Sequence, residues 1–380
     1  MSNTHDGKTA KAPRAAKTRG KAAAAPARNA DQAQVQHHAH GEHAHARNHA
    51  PGDHEHDHAH GEHGHECGEA CGHDHDHGHA HAMPEAGGIY LISPSSAVQD
   101  PASVERACER LAADGFQTRV DRAALLTHQR FAGTDKQRLA GLDRAIAQKH
   151  PIVMVTRGGY GLSRLLPSID WKAMADSGKR FVGFSDFTAF NLALLAQTGA
   201  VSYSGATAVA DFGVAEPDEL TPLLFGEIMR GELEILSFET RDADPVDARG
   251  ILWGGNLAVL CSLLGTPYLP KTRGILFLED VGEHPYRVER MLAQLAQAGV
   301  LDRQKAIVLG HFSNYRLAPH DAGFDMPEVV KWLRRTVKVP VVTGLPYGHI
   351  PTKATLPVGQ KVGIATERGM AHLVIDEHVH

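Results

Sequence analysis

A single serine stands where an apolar strand is predicted to give way to an apolar helix. The tetrapeptide Gly183-Phe184-Ser185-Asp186 lies between the segments RFV and FTAFNLALLAQ. A serine at such a turn stands above the sheet edge, and the backbone N–H of Asp186 can point at a developing oxyanion. The second glycine of a G-x-S-x-G elbow is replaced by Phe187. The local pattern therefore fits a nucleophile, and equally a Ser185 or Asp186 that only caps the helix.

A glycine-rich segment, Arg157-Gly158-Gly159-Tyr160-Gly161, directly follows another predicted strand. Glycines at the carboxyl end of a strand allow a ligand to approach the backbone closely. Three interpretations stay open: a phosphate cradle, a loop that lends an N–H to an oxyanion hole, and a purely structural turn. The segment is neither a Walker loop nor a dinucleotide fingerprint, because no Lys-Ser or Lys-Thr pair follows and no G-x-G-x-x-G is present.

Two carboxylates, a histidine and an asparagine occur later at positions that suit a hydrolytic site. Glu279 and Asp280 end the apolar run GILFL, and open α/β sheets place their sites at the carboxyl ends of such strands. His349 lies in the loop GLPYGH, which Gly and Pro hold in place. Asn256 opens the apolar helix LAVLCSLLG, where it could be the N-cap or a substrate contact. Each of these residues, taken alone, also has an ordinary structural explanation.

Strands and helices alternate around these residues. Short apolar runs bounded by Gly, Pro or Asp predict the strands, and apolar residues at helical spacing predict the helices. The predicted strands of the first half are Gly88–Ser93, Phe116–Val120, Pro151–Thr156 and Arg180–Phe184. Helices are predicted to begin at Asp100-Pro101 and to cover Asp135–Gln148 and Phe187–Gln197. This alternation implies right-handed crossovers and a doubly wound, mostly parallel sheet.

A second α/β unit is predicted after an acidic, proline-containing connection over residues 212–248. Its strands are expected at Gly274–Leu278, Ala306–Leu309, Val341-Val342, Val362–Ile364 and Leu373–Ile375. The sequence thus predicts an α/β protein with two α/β domains. The N-terminal domain covers residues 83–211 and includes Ser185, and a smaller C-terminal domain covers 249–380 and includes Glu279 and His349.

Residues 1–82 differ in composition from the rest of the chain and are predicted to be disordered. Their first part is rich in Ala, Lys, Arg and Pro, and seventeen of the 27 histidines lie between His37 and His81. Neither part has apolar residues at the period of a strand or helix, so neither can bury a core. The irregular spacing predicts loose binding of several divalent ions such as Zn, Ni or Cu. Candidate ligands in this tail are His54, His56, His58, Cys67 and Cys71.

Composition and charge exclude several classes of protein. The net charge of −5 does not indicate a nucleic-acid partner, and no run of 18 apolar residues predicts a membrane span. Four cysteines in 380 residues do not form a disulfide framework. The basic N-terminus lacks the apolar segment of a secretory signal. We therefore expect a cytoplasmic protein with no nucleic-acid or membrane partner.

Nine short motifs, in this order, resemble the LD-carboxypeptidase family of serine peptidases, the muramoyltetrapeptide carboxypeptidases, to which the microcin immunity peptidases are related. The motifs are SPSS, FAGTDKQRLAGL, RGGYG, LLPSIDW, GFSD, GGNL, LEDVGE, YRVER and LPYGH, between about Gly88 and Thr366. The resemblance implies two α/β domains with the site between them, usually in a homodimer. It also implies removal of the terminal D-alanine from recycled tetrapeptide stems in the cytoplasm.

The same resemblance implies roles for individual residues and no cofactor. Ser185 of GFSD would be the nucleophile, Glu279 of LEDVGE the orienting acid and His349 of LPYGH the base. The backbone N–H groups of Asp186 and of Gly159 would form the oxyanion hole.

Some alternatives stay open beside this resemblance. A carboxypeptidase must bind a free terminal carboxylate, for which Arg157 or its loop is the candidate, and Asn256 could orient the substrate peptide. A metal-handling protein based on the tail and a nucleotide-binding module based on RGGYG are the rivals from other classes. The core has no H-E-x-x-H motif, so we expect catalysis without a metal.

Overall fold

Strands and helices alternate through residues 87–375, the part of the chain that this computed structural model describes. The first half contains β1 Gly88–Ile92, α1 Ala102–Ala113, β2 Gln117–Val120, α2 Asp135–Ile146, β3 Ile152–Val155, α3 Trp171–Asp176, β4 Arg180–Gly183, α4 Thr188–Thr198 and β5 Ser202–Ser204. The second half contains α5 Leu220–Arg230, β6 Ile235–Glu239, β7 Asp247–Asn256, α6 Leu257–Ser262, β8 Gly274–Val281, α7 Pro285–Gln297, β9 Ala306–Ser313, α8 Met326–Thr336, β10 Val341–Thr343, β11 Leu356–Val358, β12 Lys361–Glu367 and β13 Met370–Val374. The elements predicted from the sequence are present, with ends shifted by a few residues.

The first sheet has six strands in the order β11-β5-β4-β3-β1-β2. Strands β1 to β5 are parallel, and short buried runs form them because both faces of the sheet are covered. β2 and β3 lie on opposite sides of β1, so the strand order reverses between β1 and β3. The crevice at the carboxyl ends of two such strands is where open α/β sheets bind their ligands.

The second sheet has seven strands in the order β10-β9-β8-β7-β12-β13-β6. Its strands β7 to β10 are parallel, whereas β12, β13 and β6 continue the sheet in antiparallel pairs. β8 is buried along nearly its whole length and brings Glu279 and Asp280 to its carboxyl end. The α/β fold class predicted from the sequence is therefore confirmed. No helix within residues 87–375 has both the length and the apolar character to cross a bilayer.

Two segments do not follow the division into two domains and a connection that the sequence predicted. The connection over residues 212–248 holds α5 and also β6, which pairs with β13 at the edge of the second sheet. β11 belongs in sequence to the C-terminal half but pairs with β5 of the first sheet. A three-residue strand has too few positions to show a period, so the sequence carries no signal for it. The residue boundaries of the two domains stay a prediction.

Helix α4 is surrounded by other elements. Its apolar sequence leaves every residue from Thr188 to Leu195 buried. The helix contacts β5 of the first sheet and β7 of the second, so it has no solvent face over these turns. Because α4 begins just after Ser185, the turn that carries this serine is attached to a helix that both sheets hold.

Gly254 in β7 offers a test of the packing between β7 and β8. Its φ is +143°, and a Cβ there would lie 1.9 Å from the carbonyl oxygen of Phe277. We expect Gly254→Ala to lower the free energy of unfolding by about 3 kcal/mol, through backbone strain and displacement of β8. Gly178→Ala is the matched control, because its φ is also positive but nothing lies within 4 Å; about 1 kcal/mol is expected there. Equal losses in urea denaturation would contradict the proposed clash.

Candidate active site

Ser185 has a left-handed backbone at the turn between β4 and α4. Its φ is +62°, whereas Phe184 before it is extended. A non-glycine residue in this region stores strain and is found preferentially at functional sites. A Cβ on Gly183 would lie 2.4 Å from the ring of Phe187, so only glycine fits there. No side chain caps α4, which removes the interpretation of Ser185 or Asp186 as a simple helix cap.

The glycine-rich loop, residues 157–161, lies directly against the serine turn. A Cβ on Gly158 would lie 2.8 Å from the Phe184 carbonyl oxygen and 2.8 Å from the Ser185 Cβ. Gly159 has a φ of +106°, and a Cβ there would lie 2.4 Å from the Ser96 hydroxyl. Glycine is required at both positions because backbone and side chains approach from both sides. The loop therefore brings backbone groups next to Ser185.

Two buried charged side chains fix the glycine-rich loop. The Asp186 carboxylate accepts a hydrogen bond from the backbone N–H of Leu162 at 2.9 Å. The Arg138 guanidinium donates to the Gly161 carbonyl oxygen at 2.9 Å. Burial raises the pKa of Asp186 above its ordinary value of 3.8. The sequence assigned only the backbone of Asp186 to the site, so the contribution of its carboxylate to the loop was missed.

Glu279 and His349 are hydrogen-bonded, although they are 70 residues apart in the chain. His349 Nδ1 lies 2.9 Å from Glu279 Oε2, and the Glu279 side chain is fully buried while that of His349 is 25% exposed. A carboxylate on Nδ1 holds the imidazole in the tautomer whose Nε2 can accept a proton. The imidazole also packs on the Phe184 ring, with the ring centroids 4.5 Å apart. The base and acid expected from the sequence are thus brought together.

The loop that carries His349 is fixed on both sides. The Ser313 hydroxyl donates to the carbonyl oxygen of His349 at 3.1 Å. Tyr347 is fully buried, and its hydroxyl lies 2.6 Å from the Ser204 hydroxyl of the first sheet. Desolvation raises the pKa of the Tyr347 phenol well above its ordinary value of 10.0. These contacts limit the positions that the imidazole can adopt.

Ser185, His349 and Gly159 line one cavity of about 640 Å³, which we call the serine cavity. Arg157 and Lys353 also line it. Within residues 87–375, no hydrogen bond joins the Ser185 hydroxyl to His349. Hydrogen bonds between catalytic groups often tighten only when the substrate binds. The residues present can support acyl transfer with a serine nucleophile.

Asn256 was expected to contact the substrate, and in the structure its side chain lies against two carboxylates. Its side-chain N–H groups donate to Glu279 at 3.1 Å and to Asp280 at 2.9 Å. Its side-chain oxygen Oδ1 accepts from the backbone N–H of Val259, so Asn256 is the N-cap of α6. The residue is 5% exposed and does not line the serine cavity. In this structure Asn256 therefore holds the two carboxylates, and its role in orienting the substrate peptide stays a prediction.

Arg157 lies on the cavity wall and donates to the Ala97 carbonyl oxygen at 3.2 Å, and its role in substrate binding stays a prediction. The predicted metal ligands of the tail lie outside the described residues. Within residues 87–375, no group of three or more His, Cys, Asp or Glu side chains could hold a metal ion.

The sequence analysis did not identify Lys353 as a residue of the serine cavity. Nothing in the segment PTKATLP distinguishes it from a surface lysine.

The two halves of the fold match two domain families. Residues 89–205 match the LD-carboxypeptidase N-terminal domain, and residues 249–364 match the LD-carboxypeptidase C-terminal domain. The chain belongs to the LD-carboxypeptidase family. It is 30% identical over 284 residues to the probable murein peptide carboxypeptidase of Bacillus subtilis. The aligned region covers 73% of this chain and 88% of that relative. The resemblance inferred from the nine motifs is confirmed.

Solved structures resemble this chain over most of its length. The muramoyltetrapeptide carboxypeptidase from Oxalobacter formigenes has 42% sequence identity and a TM-score of 0.72, and covers 76% of this chain and 99% of its own. MccF, solved in complex with glutamyl sulfamoyl guanosine, has 23% identity and a TM-score of 0.71, and covers 78% and 98%. That second likeness shows the fold alone. The protein is a serine-type carboxypeptidase. Of the three classes left open by the sequence, the comparisons therefore support the enzyme over a metal-handling protein or a nucleotide-binding module.

Asp280, the neighbour of Glu279, should make the stability of the protein depend on pH. The residue is 3% exposed, and burial raises its pKa from 3.8 to about 6. Because the folded protein binds this proton more tightly than the unfolded chain, the associated stability is complete below about pH 4 and lost as the pH rises through about 6.

We therefore expect the stability of Asp280→Asn, relative to wild type, to improve by about 2–3 kcal/mol between pH 4 and pH 7. Urea denaturation at pH 4, 5.5 and 7 measures this difference. Asp143→Asn, which removes an exposed carboxylate on α2, is the control and should change by less than about 0.5 kcal/mol. A flat profile for Asp280→Asn would show that the carboxyl titrates normally.

Proposed function

We propose that this protein is an LD-carboxypeptidase that removes the terminal D-alanine from the tetrapeptide stems of muropeptides in peptidoglycan recycling. The observation that carries the proposal is the hydrogen bond between His349 and the buried Glu279, at the cavity that Ser185 lines. The names of the relatives, a murein peptide carboxypeptidase and a muramoyltetrapeptide carboxypeptidase, support this substrate.

The proposed mechanism uses Ser185, His349 and Glu279 as nucleophile, base and orienting acid. Neutral His349 takes the hydroxyl proton as Ser185 Oγ attacks the scissile carbonyl carbon. Glu279 keeps the other proton on Nδ1 and stabilises the imidazolium that forms. The imidazolium then protonates the amine of the leaving D-alanine, and an acyl-enzyme remains. A water molecule, deprotonated by His349, hydrolyses this ester and restores the serine.

Backbone N–H groups of Asp186 and Gly159 are the proposed oxyanion hole. Asp186 follows the nucleophile directly, and the glycine-rich loop lies within van der Waals contact of the serine turn. Such donors are already oriented before the reaction, and the removal of one typically costs about 10²–10³ in rate. The buried Arg138 and Asp186 side chains support this role, because they hold the loop in place before substrate binds.

The charges around the serine cavity suit an anionic peptide. Arg106, Arg157 and Lys353 line it, against the single carboxylate of Asp100. The substrate has a free terminal carboxylate, and Arg157 is one candidate for binding a carboxylate of the stem. Cationic side chains also raise the local concentration of an anionic substrate.

The location and assembly of the enzyme extend the proposal. We place it in the cytoplasm, where recycled stems are processed, and as a homodimer; both follow from the family resemblance. The related activity of the microcin immunity peptidases, cleavage of a peptidyl conjugate, has only the shared fold in its support. Loose divalent-metal binding by the histidine-rich tail would be an added property.

Ser185→Ala tests the proposed function directly. We expect the variant to lose at least about 10³-fold in the rate of D-alanine release from a free tetrapeptide stem, measured by chiral chromatography. Its free energy of unfolding should stay within about 1 kcal/mol, since the hydroxyl is not needed for packing. Ser262→Ala, at an exposed position on α6, is the control and should retain the full rate. A Ser185→Ala variant with more than roughly a tenth of the wild-type rate would exclude this nucleophile.

Glu279→Gln tests the orienting acid against its neighbour. A glutamine can hydrogen-bond His349 but cannot stabilise an imidazolium, and losses near 10⁴ in kcat are known for such a change. Asp280→Asn should cost much less, because Asp280 accepts from the backbone N–H groups of Ala258 and Val281 instead of from the histidine. The kcat values for D-alanine release decide between them. Comparable losses in both variants, or a loss in Asp280→Asn alone, would reassign the acid.

A further inference from the structure

Lys353 is a buried cation in the wall of the serine cavity. It is 4% exposed, and its ammonium lies 2.7 Å from Oδ1 of Asp211, which is equally buried. The other oxygen of Asp211 accepts from the N–H and the hydroxyl of Thr207 at 2.7 and 3.1 Å. A buried ion pair contributes little to stability compared with apolar residues of the same shape. Structural stability alone therefore does not explain a lysine at this position.

The ammonium of Lys353 lies close to the proposed reacting groups. It is 4.7 Å from the centroid of the Phe184 ring, and Phe184 immediately precedes Ser185. The Phe184 ring also packs against His349, and the centroids of these two rings are 4.5 Å apart. A single phenyl ring thus contacts the cation and the imidazole at the same cavity.

The hydrogen-bonding capacity of Lys353 is only partly used. An ammonium has three N–H donors and no acceptor. Within residues 87–375, the ion pair with Asp211 is the one polar contact of this ammonium. Buried polar groups are normally satisfied, and a buried charge in particular requires several partners. Since the side chain also lines the cavity, the remaining donors are available to an acceptor inside it.

The other cations of the serine cavity are arranged differently. Arg106 is paired with Asp100 at 2.9 Å and donates to the Gly213 carbonyl oxygen at 2.8 Å. Arg157 lies where the serine cavity adjoins a second cavity of about 410 Å³, whose wall it shares. That position suits a carboxylate further along the stem. Lys353 differs from both arginines because it is buried and its ammonium packs on Phe184, the residue that precedes Ser185.

We propose that Lys353 binds the terminal carboxylate of the substrate and so restricts the enzyme to the removal of a single C-terminal residue. This inference rests on the proposed carboxypeptidase function. Consecutive Cα atoms are about 3.8 Å apart, so the terminal carboxylate of the leaving residue lies about one residue step from the carbonyl that Ser185 attacks. Asp211 holds the ammonium at the wall, and the carboxylate of the substrate completes its set of acceptors. A longer peptide would place a neutral amide opposite the ammonium.

The test compares two matched substrates, a tetrapeptide stem that ends in D-alanine and the same stem that ends in D-alaninamide. Wild-type protein should show a kcat/KM for the acid roughly 10- to 100-fold above that for the amide, the range expected for a charged hydrogen bond. Lys353→Met should remove this preference by raising KM for the acid, while kcat/KM for the amide changes by less than about threefold. Lys172→Met, an exposed lysine on α3, is the control and should leave the preference intact.

Two further variants separate binding from folding. Asp211→Asn removes the ion pair but keeps the ammonium, so the preference for the acid should persist. Lys353→Met combined with Asp211→Asn leaves no unpaired buried charge, and is used if Lys353→Met alone does not fold. The preference should be lost in this double variant.

The outcomes also distinguish this inference from the proposed function. Equal losses on acid and amide in the lysine variants, or a preference that survives in them, would overturn the role of Lys353 while wild-type turnover still supports the carboxypeptidase. Absence of D-alanine release by wild-type protein would instead overturn the proposed function. In that case, the affinities of the Ser185→Ala variant for the acid and amide stems, measured by calorimetry, still show whether Lys353 binds the terminal carboxylate.

Discussion

The complete burial of the Glu279 carboxylate is the constraint on which the rest of the site depends. A buried carboxylate without partners costs several kcal/mol, so the fold must supply hydrogen-bond donors from more than one element. The parallel register pairs Asn256 of β7 with Glu279 of β8, and the Asn256 amide donates to one carboxylate oxygen. His349 provides the donor to the other oxygen. The position of the imidazole is therefore a consequence of satisfying a charge inside the second sheet.

The first sheet brings the serine to this pair, and several contacts keep the two sheets in place. Helix α4 follows the serine turn and packs against strands of both sheets. The histidine loop is held at its end because β11, which follows it, pairs with β5 of the first sheet. The Tyr347 hydroxyl reaches Ser204 on the same strand. The distance and orientation between Ser185 and His349 are thus fixed by contacts that hold the His349 loop against the first sheet, and not by a direct hydrogen bond between the two residues.

Close backbone approach is the second requirement of the site. Gly158 and Gly183 are positions where a Cβ would collide with the serine turn or with Phe187. Ser185 has a positive φ in this turn, and the backbone of the glycine-rich loop packs directly against it. The positive φ of Ser185 and the glycines beside it belong to one closely packed arrangement, in which Ser185, Gly158 and Gly159 line the same cavity.

The sequence by itself determined the elements and the candidate positions. Apolar runs of strand length, alternating with helical periods, placed Ser185 at a strand-to-helix turn and Glu279 at a strand end, since these patterns depend on neighbours within a few residues. The order of nine motifs then indicated the family, and the resemblance implied that Glu279, and not Asp280, would be the acid.

Only the tertiary structure decided what each residue contacts. Glu279 and Asp280 look alike in sequence, but the register of β8 directs one to His349 and the other to the backbone of Ala258. The same register directs the Asn256 amide to both of these carboxylates. Lys353 and Asp211 carry no local signal, because their pairing spans more than a hundred residues and depends on β11 joining the first sheet. Contacts of this kind arise from the packing of distant segments, and no local pattern of residue types encodes them.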